Sequence, residues 1–195
     1  MTAAAAPGFL RALKALRDAL AELRSPFTFI GGVAVIARGV ARLTVDIDAT
    51  VQAANLQLEG VFQTLARHDI GPRIEEALEF ARERQVILAV HEPTGTPLDI
   101  SLAWLQFEED AIKSSEEMNY AAVRIPVAQA EDLVIYKLLA CRPRDIDDAE
   151  KLLLLYGNKV RLERVRHVLR EFCEVLEDTK SLQTLEEILK RTKLP

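Results

Sequence analysis

Two aspartates, Asp46 and Asp48, sit one residue apart in the alternating stretch Arg42-Leu43-Thr44-Val45-Asp46-Ile47-Asp48. In a strand, side chains alternate faces, so this spacing sends both carboxylates one way and Val45 and Ile47 the other, toward a core. Two like charges on one sheet edge repel unless a cation lies between them. Just upstream, Phe29-Ile30-Gly31-Gly32-Val33-Ala34 reads as an apolar strand, a tight glycine turn and a short helix. The backbone N–H groups of such a turn can hold phosphate, which makes a metal-bound nucleotide the natural guest.

A third carboxylate joins them if two strands pair. Pro97-Leu98-Asp99-Ile100-Ser101-Leu102 alternates in the same way, with Leu98 and Ile100 toward the core and Asp99 and Ser101 opposite. Three carboxylates on one face match what two Mg²⁺ ions roughly 3.5–4 Å apart require. Taken singly, each signal has a plain structural explanation. Asp-x-Asp is often a solvated strand face, and Gly-Gly is often turn geometry. The ordered series of strand, Gly-Gly, helix, Arg-x-Thr-x-Asp-x-Asp and a distant strand aspartate is far more specific than its parts.

The elements needed to position these groups can be read from periodicity. Phe9, Leu10, Leu13, Leu16, Leu20 and Leu23 follow helical spacing up to Ser25-Pro26. Phe27 to Ile30 is expected as a strand, Val33 to Arg38 as a small helix, and Thr44 to Val51 as a second strand. Leu56 to Arg67 reads as a helix and Ile74 to Arg82 as another. Val86 to Val90 and Pro97 to Leu102 form a hairpin about Glu92-Pro93-Thr94-Gly95-Thr96. Ala122 to Ile125 is a last short strand before Pro126. Helical segments follow near 130–141, 144–156, 161–176 and 182–191. The expected fold class is α+β: a mixed-sheet head over residues 1–126 with flanking helices, and a helical C-terminal domain over 127–195.

Composition narrows the setting. The chain has 195 residues, 49% hydrophobic and 28% charged, an ordinary globular balance. No apolar run approaches the roughly 18 residues of a membrane span. The start, residues 1–7, has no basic end or long apolar stretch and reads as a frayed terminus rather than a secretory signal. Two cysteines, Cys141 and Cys173, do not make a disulfide framework, and a cytoplasmic setting is expected. Net charge is −5, which argues against wholesale coating of nucleic acid. Residues 1–141 hold 13 Lys/Arg against 19 Asp/Glu, and residues 142–195 hold 12 against 11. The acidic excess lies with the paired carboxylates.

Gly31-Gly32 with Arg42-x-Thr44-x-Asp46-Ile47-Asp48 resembles the signature of the DNA polymerase β-like nucleotidyltransferase superfamily. More narrowly, Gly-Gly-x-Ala with Arg-x-Thr-x-Asp-x-Asp resembles the AbiEii/AbiGii-type toxin branch and its minimal relatives. Glu131-Asp132-Leu133-x-x-x-Lys137-Leu138-Leu139-Ala140, then Arg142-Pro143-Arg144-Asp145-x-x-Asp148, is similar to that branch's lysine helix and following Arg/Asp-rich helix. The resemblance spans about residues 27–156.

It implies a nucleotidyltransferase-type head and a Mg²⁺-dependent transfer of NMP from an NTP to a hydroxyl acceptor, with two ions. Asp46, Asp48 and Asp99 would be the catalytic metal ligands, Asp99 also helping to activate the nucleophile. Gly31 and Gly32 would meet the triphosphate through backbone N–H groups, and Lys137 would neutralise a phosphate. Arg42 would position or contact phosphate, with a salt bridge to a neighbouring acid as its rival, and Thr44 would share that face. Asp145 and Asp148, one helical turn apart, would touch base or ribose or orient Lys137, and equally read as helix N-terminal acids. The acceptor stays open between the 3′ end of tRNA, as in a toxin with an antitoxin partner, a small aminoglycoside or lincosamide, and a protein hydroxyl. A nucleotide-binding interaction module is the non-enzyme alternative.

Other residues carry less. His68, His91 and His167 show no metal-ligand spacing. Trp104, after the Asp99 strand, either stacks on a base or fills core, and core is the expected place. Arg161, Arg164, Arg166 and Arg170 make a basic helix that either meets RNA phosphates or is a solvated face.

Overall fold

A computed structural model describes residues 6–194; of the expected frayed end, residues 1–5 lie outside the described residues. Pro7, placed in that end by the sequence, instead opens the first helix, where its fixed φ and missing N–H are harmless. The chain forms two compact units. One holds the described residues up to Ala37 together with Ala41–Ala128; the other holds Arg38–Val40 and the residues from Gln129 onward.

In the first unit the order is α1 (Pro7–Glu22), β1 (Phe27–Ile30), α2 (Gly31–Ala37), β2 (Ile47–Gln52), α3 (Leu58–Arg67), β3 (Ile70–Pro72), α4 (Ala77–Arg84), β4 (Val86–His91), β5 (Thr96–Ala103), α5 (Gln106–Lys113), β6 (Glu116–Tyr120) and β7 (Val123–Val127). The strands make one seven-stranded sheet among the described residues, in the order β3-β4-β5-β2-β1-β7-β6. Strands β2 and β5 run parallel at its centre, β1 and β7 pair parallel, and the other neighbours are antiparallel. The mixed α+β class follows directly.

The central strands bury one face. Ile47, Ala49 and Val51 of β2 and Leu98, Ile100 and Leu102 of β5 are at most 2% exposed. Fully burying a Val, Leu or Ile side chain is worth about 1.5–3 kcal/mol, so this alternation fixes the register. Helix α1 contributes Leu13, Leu16 and Leu20, all fully buried, and touches β5, β7 and α3. Its apolar stripe is the one read from the sequence.

Four departures from the expected elements matter. Gly31 and Gly32 are not a turn ahead of the helix; they are its first two residues, and Gly31 has φ +60°. Strand β2 starts at Ile47, so Arg42, Thr44 and Asp46 precede it in irregular chain. Ile70–Pro72 forms an edge strand that the sequence did not announce, because three residues are too few to show alternation. Trp104, expected in the core, is 67% exposed, its backbone N–H donating to Glu108 at 3.1 Å as the chain turns into α5.

The second unit is helical: α6 (Ala130–Ala140), α7 (Pro143–Tyr156), α8 (Leu162–Leu176) and α9 (Lys180–Thr192). Helix α6 is its centre, with Leu133, Val134, Ile135 and Leu138 fully buried, and it touches α7, α8 and α9. Such an apolar helix has neighbours on most sides. In α8, Val165, Leu169 and Cys173 are buried as the stripe implied, whereas Leu176 at its end is exposed. Both cysteines are free thiols.

Candidate active site

The parallel register of β2 on β5 places Asp48 directly opposite Asp99. Adjacent strands lie about 4.8 Å apart and opposed side chains share a face, so these carboxylates are neighbours above the sheet. On the other side of β2, Asp48 is opposite Ile30, the last residue of β1. The chain then turns into α2 through Gly31, and this is where the glycine is demanded. A Cβ on Gly31 would lie 1.8 Å from Asp48 Oδ2 and 2.7 Å from Asp48 Cβ. The carboxylate thus leans over the bare Cα at the start of α2.

Gly32 has a similar role toward the irregular segment. A Cβ there would meet Thr44 Oγ1 at 2.3 Å and Arg42 Nη2 at 3.1 Å. Thr44 donates through Oγ1 to Asp46 Oδ1 at 2.7 Å. Arg42, Thr44 and Asp46 therefore come together with the two glycines, but through close packing and a side-chain hydrogen bond. Strand alternation, on which the sequence reading placed them, ends at Ile47. Leu43 and Val45, between them, are 72% and 73% exposed rather than turned into a core.

Asp99 carries a partner that the sequence did not suggest. Arg73 Nη2 donates to Asp99 Oδ1 at 2.6 Å. Arg73 follows β3 directly, and its backbone N–H donates to Leu88 O at 2.9 Å; Leu88 is in turn opposite Asp99. The only sequence signal for it would have been the edge strand itself, marked by Gly71-Pro72.

The donor set suits a hard cation. Its atoms are the carboxylate oxygens of Asp48 and Asp99, beside a helix start that two glycines keep clear of side chains. Among the described residues no three His, Cys, Asp or Glu side chains come together as a group that could hold a metal ion. An open set is what Mg²⁺ uses when one or two carboxylates hold it and water and substrate phosphates complete its shell. The pair that fits this description is Asp48 and Asp99, opposite each other on β2 and β5; Asp46, tied to Thr44, is the third carboxylate that the sequence reading named.

The remaining sequence candidates, Lys137, Asp145 and Asp148, cluster with one another in the helical unit. Lys137 Nζ on α6 lies 2.8 Å from Asp145 Oδ1 and 3.2 Å from Asp148 Oδ2, both on α7. Asp148 is 1% exposed and the lysine 12%, so the amine is sealed between two carboxylates one helical turn apart. Removing the cation from such a pair leaves buried like charges, a loss of about 3–5 kcal/mol. Lys137→Met should lower urea-unfolding stability by that amount at neutral pH, and an unchanged midpoint would show the lysine to be structurally idle.

Three of the four arginines of the basic segment meet acids, and the fourth, Arg170, is exposed. Arg161 Nε donates to Glu131 Oε1 at 2.7 Å, and Arg164 Nη1 pairs with Asp132 at 2.6 Å. Both acids are on α6 and less than 10% exposed. The hydrogen bond to Glu131, then its charge, pushes the Arg161 guanidinium above its ordinary value. Arg166 is paired with Glu186 of α9 and with Glu163. These arginines clamp helices together and are not simply a solvated face.

Comparison with known proteins bears on this geometry. No curated protein matches the chain. Solved structures do so at the level of fold. The antibiotic-resistance factor ANT(2″)-Ia in solution aligns with TM-score 0.57 and 21% identity, over 86% of this chain and 94% of that one. The same factor crystallised with adenylyl-2″-tobramycin gives 0.58 and 18%, over 84% and 98%. JHP933 from Helicobacter pylori gives 0.52 and 14%, over 98% and 95%. A family model covers nearly the whole sequence, residues 10–193, including the carboxylate strands and the lysine helix. With Asp48 opposite Asp99 and Gly31 packed against Asp48, the chain belongs to the nucleotidyltransferase family of unknown function DUF6036.

Proposed function

We propose that this nucleotidyltransferase moves a nucleoside monophosphate from an NTP to the hydroxyl of a small polar acceptor. The single observation that carries the reading is the Asp48–Asp99 cross-strand pair above the bare Cα of Gly31. Backbone N–H groups at the start of α2 bind the triphosphate, and the two glycines let it approach closely. Asp99 takes the proton from the acceptor O–H as the new O–Pα bond forms. The bond from Pα to the bridging oxygen breaks, and pyrophosphate leaves. Bound Mg²⁺ would neutralise triphosphate charge and make the incoming hydroxyl more acidic. The protein's own share is positioning and fixed charge, as in phosphoryl transfers generally.

The acceptor divides the reading. Similarity to the AbiEii/AbiGii toxins favours the tRNA 3′ end and an antitoxin partner. The pairing of Arg161, Arg164 and Arg166 with acids of their own unit removes the specific argument for RNA on that helix. A small acceptor asks for no such surface, and ANT(2″)-Ia carries an adenylylated tobramycin.

The test is to incubate the protein with each α-labelled NTP and Mg²⁺, together with total tRNA, an aminoglycoside and lincosamide panel, or no acceptor. Label on a small molecule is the expected result. Label on tRNA would reverse the acceptor assignment in favour of the toxin. Tight NTP binding with no transfer to anything would make the protein a binding module and overturn the proposal.

A further inference from the structure

A lateral row crosses the sheet at the level of the carboxylates. Ile30 of β1 is opposite Asp48, Asp48 opposite Asp99, and Asp99 opposite Leu88 of β4; Leu88 accepts from the backbone N–H of Arg73. Two strand spacings, about 9–10 Å, separate Arg73 from Asp99, which an extended arginine can bridge. It does so, and the Arg73–Asp99 pair is half-exposed, with side chains 36% and 38% accessible. An exposed ion pair of this kind is worth at most about 1 kcal/mol of stability. Its place in the row points to a different use.

We propose that Arg73 is a positioning residue for Asp99. Its guanidinium occupies Oδ1, so Asp99 presents only Oδ2 toward Asp48, and its charge competes with a divalent cation for the carboxylate until nucleotide arrives. The contact is one charge-assisted hydrogen bond, from Nη2 to Oδ1, which ties down that oxygen. The second effect is Coulombic: a unit charge at contact distance changes an interaction by about 1 kcal/mol even in water, and by more in a partly buried setting. The inference rests on the nucleotidyltransferase site proposed above.

Its test is Mn²⁺ binding followed by electron paramagnetic resonance, on full-length protein without nucleotide and again with a non-hydrolysable α,β-methylene ATP. Arg73→Gln should bind Mn²⁺ about five- to tenfold more tightly than wild type without nucleotide, since 1 kcal/mol is close to a fivefold change. Arg73→Lys should stay near wild type, because the charge is restored. In an Asp99→Asn background the Arg73→Gln effect should vanish. With the analogue present, the affinities of wild type and Arg73→Gln should converge. A merely structural arginine would move the melting temperature and leave this pattern absent. Equal Mn²⁺ affinity in wild type and Arg73→Gln, or an effect that survives in Asp99→Asn, would overturn the role of Arg73 alone. Wild type that binds no Mn²⁺ under either condition would sink the metal site and this role together.

Discussion

Asp48→Asn should abolish nucleotidyl transfer, with kcat falling at least about a thousandfold. The substitution keeps the shape of the side chain and removes one negative charge from the centre of the row. Several kcal/mol of transition-state charge stabilisation depend on that charge, and each 1.36 kcal/mol is tenfold in rate. The fold should persist, because Asp48 alternates with Ile47 and Ala49, which carry the burial on β2. Circular dichroism and a melting temperature within about 4 °C of wild type would confirm it. An active, folded Asp48→Asn would refute the catalytic assignment.

Gly31→Ala should be nearly as damaging by a different route. The residue sits at φ +60°, where an L side chain is strained by about 1–2 kcal/mol. Its new Cβ would collide with the Asp48 carboxylate, 1.8 Å away, and with the Asp48 Cβ behind it. Rotation of the carboxylate alone does not clear the second contact, so the start of α2 and β2 must separate. A misplacement of about 1 Å at reacting groups can lower a rate about a hundredfold. Activity should fall by that factor and the melting temperature by roughly 3–8 °C. A Gly31→Ala protein with wild-type activity would show that the close approach serves only packing.

How far the site could be read beforehand differs residue by residue. Asp48 and Asp99 were legible because each lies inside a strand whose neighbours, Ile47 and Ala49 or Leu98 and Ile100, alternate cleanly. Alternation also set their common face; the direct opposition of the two came from the β2–β5 register, which a linear pattern does not contain. For Asp46 the strand alternation offered as the reason fails, since it lies outside the ladder and its side-chain partner is Thr44. Arg73 was invisible. Its edge strand is three residues long, and its significance depends on Leu88 and Asp99 lying beside it.

In the helical unit, spacing showed that Asp145 and Asp148 share a helix face. That both clasp Lys137 depended on how α6 meets α7. Trp104 marks the opposite limit. A large aromatic after a buried strand favours core by hydropathy alone, yet the chain leaves the sheet at that residue and the ring faces solvent.

The row through Asp48, Asp99 and Arg73 also has a consequence for the order in which the protein acquires its chemistry. Asp48 lies on β2, Asp99 on β5 and Arg73 just after β3, three places well separated along the chain, with β4 between the last two. Non-local pairings of this kind form late, because loop-closure entropy must be overcome before they stabilise anything. Helices such as α1 depend on local periodicity and can be present earlier. A nascent or partly unfolded chain can therefore look substantially helical while having no carboxylate pair at all, and the juxtaposition of Asp48 with Asp99 is a late milestone of maturation.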